Sequence, residues 1–291
     1  MKKDLKLSQA IFWILASTFV ISGFSYFTFF QYKKMQKKRC LMSSYNIKTI
    51  SQSVNDNNLD VNYLAEIMNL SLDRPTNLFV FDEMDAKEKL LKNPLIKTAE
   101  IKKIKPNCVF VDYEIRKPIA LLYDFDNFAI DEDGNIFPYE PFFKDNDLSK
   151  IYLGLESLEK LKKVESKEAC LALDMLKKLQ ESGFSKLVKI VSLDTSRSQL
   201  QSYGQREILL EIEEDLIVKQ KEKEIHLIFP KILRLMENNY LQQIGNYISL
   251  REKIMRDYES QFKQIRIDDS EIKFKPKTID LRISKLAFID Q

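Results

Sequence analysis

The sequence predicts an α+β protein. It has a single N-terminal membrane-spanning helix, a compact strand–helix–helix–strand–strand module, and a larger mixed β-rich region with flanking helices. Three observations carry this. Residues 10–30 read "AIFWILASTFVISGFSYFTFF", with no charge inside the run. Beyond them, short segments of helical and strand periodicity alternate, bounded by turn residues. The charge is also unevenly divided. Residues 1–39 hold eight Lys/Arg and one acid, Asp4, so the remainder, with 38 basic and 42 acidic residues, carries −4 although the whole chain carries +3. A mildly acidic folded region argues against nucleic-acid binding, which needs a basic face on the folded domain.

The apolar run spans about 30 Å as a helix, which matches a bilayer core. Trp13 lies near one end and Tyr26 and Tyr32 near the other, as interfacial aromatics do. A cleaved signal peptide would have a shorter core and a small-residue cleavage site. Here bulky aromatics and "KKMQKKR" follow instead. The expected division is therefore a tail at 1–9, the spanning helix at 10–32 and a juxtamembrane linker at 33–44. Three lysines precede the helix and five Lys/Arg follow it closely. Taken alone, the positive-inside rule would put the following residues in the cytoplasm.

Residues 45–54 alternate loosely, as a strand does, and "NDNN" at 55–58 is a turn. Residues 60–70 form a short helix with Asp60 as N-cap and Val61, Leu64, Ile67 and Met68 on one face. "DEMDAKEKLLKNP" forms a second helix that ends at Asn93-Pro94. Strands follow at 96–104 and 109–114, joined through Lys105-Pro106-Asn107. The rest is β-rich. Short strands at 128–130 and 135–137 flank "DEDG", and another lies at 150–154. Residues 166–182 form an amphipathic helix with Ala172, Met175, Leu176 and Leu179 inward. Strands are expected at 187–193, 207–213, 216–220 and 224–229. Pro230 is expected to open a helix that runs, with a break near Gly245, to about residue 264. Residues 277–288 are read as one closing strand.

Candidate chemistry is sparse. Asp131-Glu132-Asp133-Gly134 lacks the alternate acids and later bidentate Glu of a calcium loop. Asp-Gly between two apolar pairs reads as a hairpin turn, with the glycine at positive φ. His226, the single histidine, sits on the polar face of "EIHLIF" and reads as an exposed strand residue. Cys40, Cys108 and Cys170 have neither disulfide-framework nor metal-ligand spacing. No phosphate loop, HExxH or GxSxG occurs. No catalytic, cofactor-binding or metal-binding residue is expected, nor a small-molecule substrate.

The order of elements then supports a resemblance. Asn77, Leu78 and Phe79 before the second helix, Pro94, Ile96 and Ala99 entering the next strand, Pro106 between the last two strands, and Arg116, Pro118 and Ala120 after them resemble the POTRA domain of the FtsQ/DivIB cell-division proteins. Ile115 stands where that pattern has a glutamate. The family continues with an apolar–Asp–acidic–Asp–Gly–apolar hairpin, matched by "AIDEDGNIF", and closes on Ile-Asp-Leu-Arg, matched by Ile279, Asp280, Leu281 and Arg282. Ile283 stands where the family often has an aromatic, and residues 251–274 are longer and more charged than is usual.

The resemblance implies a POTRA domain at 45–122 and an FtsQ-type β domain at 123–291. It implies a cytoplasmic N-terminus, periplasmic domains and a place at the division septum; large domains translocate largely regardless of flanking charge. It further implies a non-enzymatic scaffold whose partners are FtsB- and FtsL-like coiled-coil proteins, an FtsK-like recruiter and the septal peptidoglycan synthase complex. The expected partner-binding residues are Ile279, Asp280, Leu281, Arg282, Ile283, Ser284, Lys285, Leu286 and Ala287, the last strand, acting by strand addition. Two other classes fit less well. A POTRA-bearing export or assembly component would carry several POTRA copies, and an anchored envelope enzyme would need a catalytic constellation.

Overall fold

The computed structural model describes residues 7–53, 58–144, 147–157, 163–220, 223–262, 271–283 and 286–289. The expected turn at 55–58 lies largely outside them. The chain divides into two compact units, Met1–Ile115 and Arg116–Gln291.

The first unit begins with α1 (Leu7–Leu41), one continuous helix that is long and apolar enough to cross a membrane. The expected linker at 33–44 is helical as far as Leu41. Lys, Gln and Met favour helix, and neither Gly nor Pro interrupts them. Next come β1 (Thr49–Gln52), α2 (Val61–Ile67), α3 (Glu83–Lys92), β2 (Ile96–Ile104) and β3 (Cys108–Ile115), in the expected order. Asp60 caps α2 by accepting from the Asn62 amide at 2.6 Å, and Asp82 caps α3. β3 lies in the middle of the sheet, parallel to β1 and antiparallel to β2. Its alternate residues Val109, Val111 and Tyr113 are buried, as are Leu64 and Met68 from α2 and its end and Ala86 and Leu90 of α3. Val61, expected on the buried face of α2, is exposed.

The second unit contains β4 (Ala120–Leu122), β5 (Phe128–Ile130), β6 (Ile136–Pro138), β7 (Lys150–Tyr152), α4 (Lys167–Glu181), β8 (Lys189–Asp194), β9 (Ile208–Gln220), β10 (Lys223–Leu235), α5 (Tyr240–Phe262), β11 (Glu271–Lys273), β12 (Lys277–Asp280) and β13 (Phe288–Ile289). The strands form one ten-stranded sheet in the order β13-β12-β10-β9-β8-β7-β4-β5-β6, with β11 also on β10. β4 pairs with β5 and β7, so the boundary expected after Leu122 falls between Ile115 and Arg116. The inward face of α4, with Ala172, Met175, Leu176 and Leu179 as expected, packs into one core with Ile151, Leu193, Leu210, Ile212 and Leu233 of the sheet and Tyr240, Ile244 and Tyr247 of α5.

Three strand and helix expectations are corrected. The segments at 207–213 and 216–220 are one strand, β9, which pairs along its length with β10. Pro230 opens no helix. It lies within β10, and α5 starts at Tyr240 and runs through Gly245 without a break. The reason is geometric. The carbonyls of Ile228 and Arg234 accept from Phe274 and Leu281, so even-numbered residues of β10 point their backbone groups away from β9. β11 pairs with His226–Ile228 and β12 with Lys231–Arg234, so Pro230 faces the gap between them, where no donor is needed. Residues 277–288 are not one strand either: β12 ends at Asp280 and β13 starts at Phe288.

Beyond the end of β8, the β9–β10 pair continues with its own apolar cluster of Val218, Ile225, Leu227 and Phe229, against which Tyr258, Phe262, Ile272 and Phe274 pack. The Phe229 ring stacks between Tyr258 at 4.3 Å and Phe274 at 4.6 Å. The described part of the charged stretch 251–274 thus closes over the hairpin; 263–270 lie outside the described residues. Between the two clusters, fully buried Glu214 accepts from the Lys231 ammonium, from Tyr247 Oη at 2.7 Å and from Arg251 Nε at 2.8 Å. Burial lowers the Lys231 pKa, and Glu214 opposes that shift. Burial also raises that of Tyr247, and neighbouring Glu214 adds to it.

The Asp-Gly hairpin is as expected: β5 and β6 pair antiparallel, and Gly134 has φ +85°. Asp131 is more than a turn residue. Its buried carboxylate accepts from the amides of Asp133 and Asn135 and from Arg116 at 2.8 Å.

Three variants test these contacts by chemical denaturation of the full chain in detergent. Gly134→Val should cost about 1 kcal/mol or more, because Val resists positive φ and its Cβ would meet the Val164 carbonyl oxygen at 2.9 Å. Glu214→Ala should cost about 3–5 kcal/mol, since it leaves an ammonium buried without its carboxylate. Lys231→Met should cost clearly less, because Glu214 keeps Arg251 and Tyr247. Equal losses for the last two would mean that Glu214 is not the centre of the cluster.

Candidate partner interface at the end of the large sheet

Among the described residues, the nine expected to bind a partner do not form one strand. β12 pairs parallel with β10 and ends at Asp280. Leu281 still donates its amide to the Arg234 carbonyl, but Arg282 then folds back. Its amide donates to Asp280 Oδ1 at 3.1 Å and its guanidinium to Asp280 Oδ2 at 2.7 Å. An Asp that accepts from the amide two residues on makes a local turn, and this one stops the strand. The Leu286 amide donates to the Ile283 carbonyl, and β13 returns antiparallel, with Asp280 opposite Phe288 and Ile279 opposite Ile289. The reading of residues 277–288 as one strand is therefore wrong. The expectation rested on side-chain alternation, and the Asp280–Arg282 contact overrides it.

The side chains separate into two groups. Ile279 and Leu281 are buried in the main core and hold the segment down. Ile283, Leu286, Phe288 and Ile289 are exposed, Leu286 by 60% and Phe288 by 70%. Ala287 is exposed too, and Ser284 and Lys285 lie outside the described residues. β13 ends the order of the sheet, so its outer side has no neighbour among the described strands. The end of the sheet thus joins a two-residue strand edge to exposed apolar side chains.

Charges beside this edge come from residues that sequence reading missed. Buried Glu207 accepts from Arg234 at 2.6 Å and from Arg197 at 3.2 Å, and lies 3.8 Å from Arg282. Arg234 also pairs with Asp280 at 3.2 Å. Three arginines thus meet two carboxylates. Arg197, Glu207 and Arg234 line a cavity of about 380 Å³ together with Leu200, Gly204 and Gln205. No local motif marks Arg197 or Glu207; only the pairing of β9 with β8 and β10, and of β10 with β12, brings them to Asp280 and Arg282. Burial alone would raise the Asp280 carboxyl, but the side-chain and amide bonds from Arg282 and the charge of Arg234 outweigh it and hold the pKa low. His226 lies elsewhere, on the exposed side of β10, 3.1 Å from Asp215.

This fixes the sign of a pH effect. A carboxylate with a lowered folded pKa contributes stability that is complete above its ordinary value of 3.8 and is lost as pH falls through the folded value. The melting temperature of the wild type should therefore drop more steeply below about pH 4 than that of Asp280→Asn. Parallel acid profiles for the two would mean that Asp280 is not held by its arginines in solution.

Comparison with known proteins bears on the first unit. Residues 46–112 match the family model described as POTRA domain, FtsQ-type. The search of curated proteins found no match. The matched span starts at Asn46, which bridges to Asn77, and covers β1 to within β3. With an apolar N-terminal helix, an FtsQ-type POTRA domain at residues 46–112 and a β-rich C-terminal region, the chain is consistent with a protein of the FtsQ/DivIB family.

Proposed function

We propose that the chain is a non-enzymatic, single-pass membrane scaffold of the bacterial division machinery, linking early and late division proteins at the septum. The observation that carries this reading is the FtsQ-type POTRA domain directly behind an apolar helix. The proposed topology places the N-terminus in the cytoplasm and both folded units in the periplasm. The proposed partners are FtsB- and FtsL-like coiled-coil proteins, an FtsK-like recruiter and the septal peptidoglycan synthase complex.

The end of the large sheet is the contact we assign to the FtsB-like partner. A strand edge offers unpaired N–H and C=O groups, and strand addition uses them while side chains supply specificity. Here the specificity would come from Ile283, Leu286 and Phe288, exposed beside the arginine cluster. Ile279, Leu281 and the Asp280–Arg282 turn would act by holding that edge in place.

The test is capture from envelope extracts on the full, detergent-solubilised chain, with a fluorescent fusion imaged in dividing cells. Division proteins should be recovered and the fusion should sit at the septum. Leu286→Asp and Phe288→Asp should weaken capture of the FtsB-like partner by about tenfold or more each, as expected for central apolar anchors, without lowering the melting temperature. Recovery of outer-membrane export components instead would overturn the scaffold reading. Undiminished capture by both variants would move the contact to another surface.

A further inference from the structure

α1 does not stop where its apolar run stops. It continues from Tyr32 to Leu41, about 14 Å further along the axis. Lys33, Lys34, Lys37 and Lys38 are all exposed on this extension. At 100° per residue they fall within an arc of about 140°, and along the axis within about 9 Å of Tyr32, which is headgroup depth. Residues 5–55 contain no Asp or Glu, so no carboxylate close in sequence neutralises them. Lys33 already lies along the helix, with its ammonium 4.8 Å from the Phe29 ring centre.

The opposite side of the extension is bonded to the POTRA domain. The buried Asn77 side chain donates to the carbonyls of Arg39 and Met42, both at 3.1 Å, each of which also accepts a backbone amide, from Met42 and Tyr45 respectively. Its own oxygen accepts from the Phe79 amide at 2.9 Å. The Leu78 amide donates to the Tyr45 carbonyl, and Tyr45 packs edge-on against Phe79 at 4.9 Å. Arg39, facing away from the lysines, lies over the Phe79 ring, as does Lys105 from the turn between β2 and β3. The helix end and the domain are therefore one bonded structure rather than two parts on a tether.

We infer that the lysine face is a binding collar for anionic phospholipid headgroups in the leaflet on the POTRA side, and that the Asn77 clamp passes the position of that collar to the POTRA domain. Four unneutralised ammonium groups at headgroup depth match the phosphates of an anionic lipid. The inference does not depend on which side of the membrane the domain occupies, and it stands apart from the scaffold reading.

The test places the full chain in nanodiscs of equimolar phosphatidylglycerol and phosphatidylcholine and counts retained lipids by native mass spectrometry. Phosphatidylglycerol should be enriched by about fivefold or more, the factor that a single membrane-adjacent lysine contributes. The combined variant K33Q/K34Q/K37Q/K38Q, confined to an exposed helix face, should lose the enrichment. Absence of enrichment in the wild type, or its survival in the combined variant, overturns the collar. Asn77→Asp keeps the acceptor for Phe79 and removes both donations, to Arg39 in the last turn of α1 and to Met42 just beyond it. It should speed amide exchange over residues 40–48 while leaving lipid enrichment unchanged. Unchanged exchange there overturns the clamp, and lost enrichment would mean that collar and clamp are not separate.

Discussion

The second unit depends on one buried carboxylate. Glu214 lies in β9 just past the last residue paired with β8, where the sheet narrows to β9, β10 and β11. On one side is the main core; on the other is the cluster around Phe229. α5 serves both, with Tyr240, Ile244 and Tyr247 in the first and Tyr258 and Phe262 in the second. Glu214 joins them because it binds Lys231 from β10 and Tyr247 and Arg251 from α5. Desolvating such charges costs several kcal/mol per ion, so the cluster is a poor source of stability in itself. What it supplies is register. Lys231 stands opposite Ile212, one diagonal step from Glu214. A two-residue slip that sets Lys231 opposite Leu210 would keep every side chain on its own face, yet it would part this ion pair and leave both charges buried.

That register decides where the sheet ends. β10 carries two short parallel strands in succession on its outer edge, and Pro230 marks the gap between them. Because β12 is placed against Lys231–Arg234, Asp280 comes within reach of Arg234, and Arg282 within reach of Glu207. These charges end the strand and turn the chain, so the apolar residues after it are left outside the core. The exposed edge thus follows from pairings begun at Glu214.

How much of this is legible in the sequence depends on the range of the interaction that fixes each part. The apolar helix, α3 and α4, the β2–β3 hairpin and the Asp-Gly turn are specified by neighbours within a few residues, and they lie where the sequence places them. Local periodicity and caps are enough when the deciding contact is Asp82 to Met84, or Asp131 to Asn135. "EIEEDL" at 211–216 fails the same test. Its acids suggest a break between strands, yet β9 runs straight through. The partner that makes Glu214 acceptable there lies 17 residues on, in β10. Pro230 fails for the same reason: whether its missing N–H matters depends on the gap between β11 and β12, which no local pattern shows.

The candidate interface shows both cases within one short segment. Ile-Asp-Leu-Arg is legible as a closing strand segment, and its apolar members Ile279 and Leu281, expected to bind a partner, are buried in the core. The segment's alternation, carried on, wrongly extends the strand to Phe288. The correction comes from Asp280, whose carboxylate can accept from the Arg282 amide as well as from two guanidinium groups. An Asp followed two residues later by an Arg can continue a strand or fold into a turn, and sequence spacing does not choose between them. Here Arg234 and Glu207 choose. One lies across the sheet and the other enters β9, and together they fix both side chains of the pair. A charge pair two residues apart thus becomes a strand terminator only when charges distant in the chain converge on it, and an edge strand stays short and apolar residues stay outside as a result.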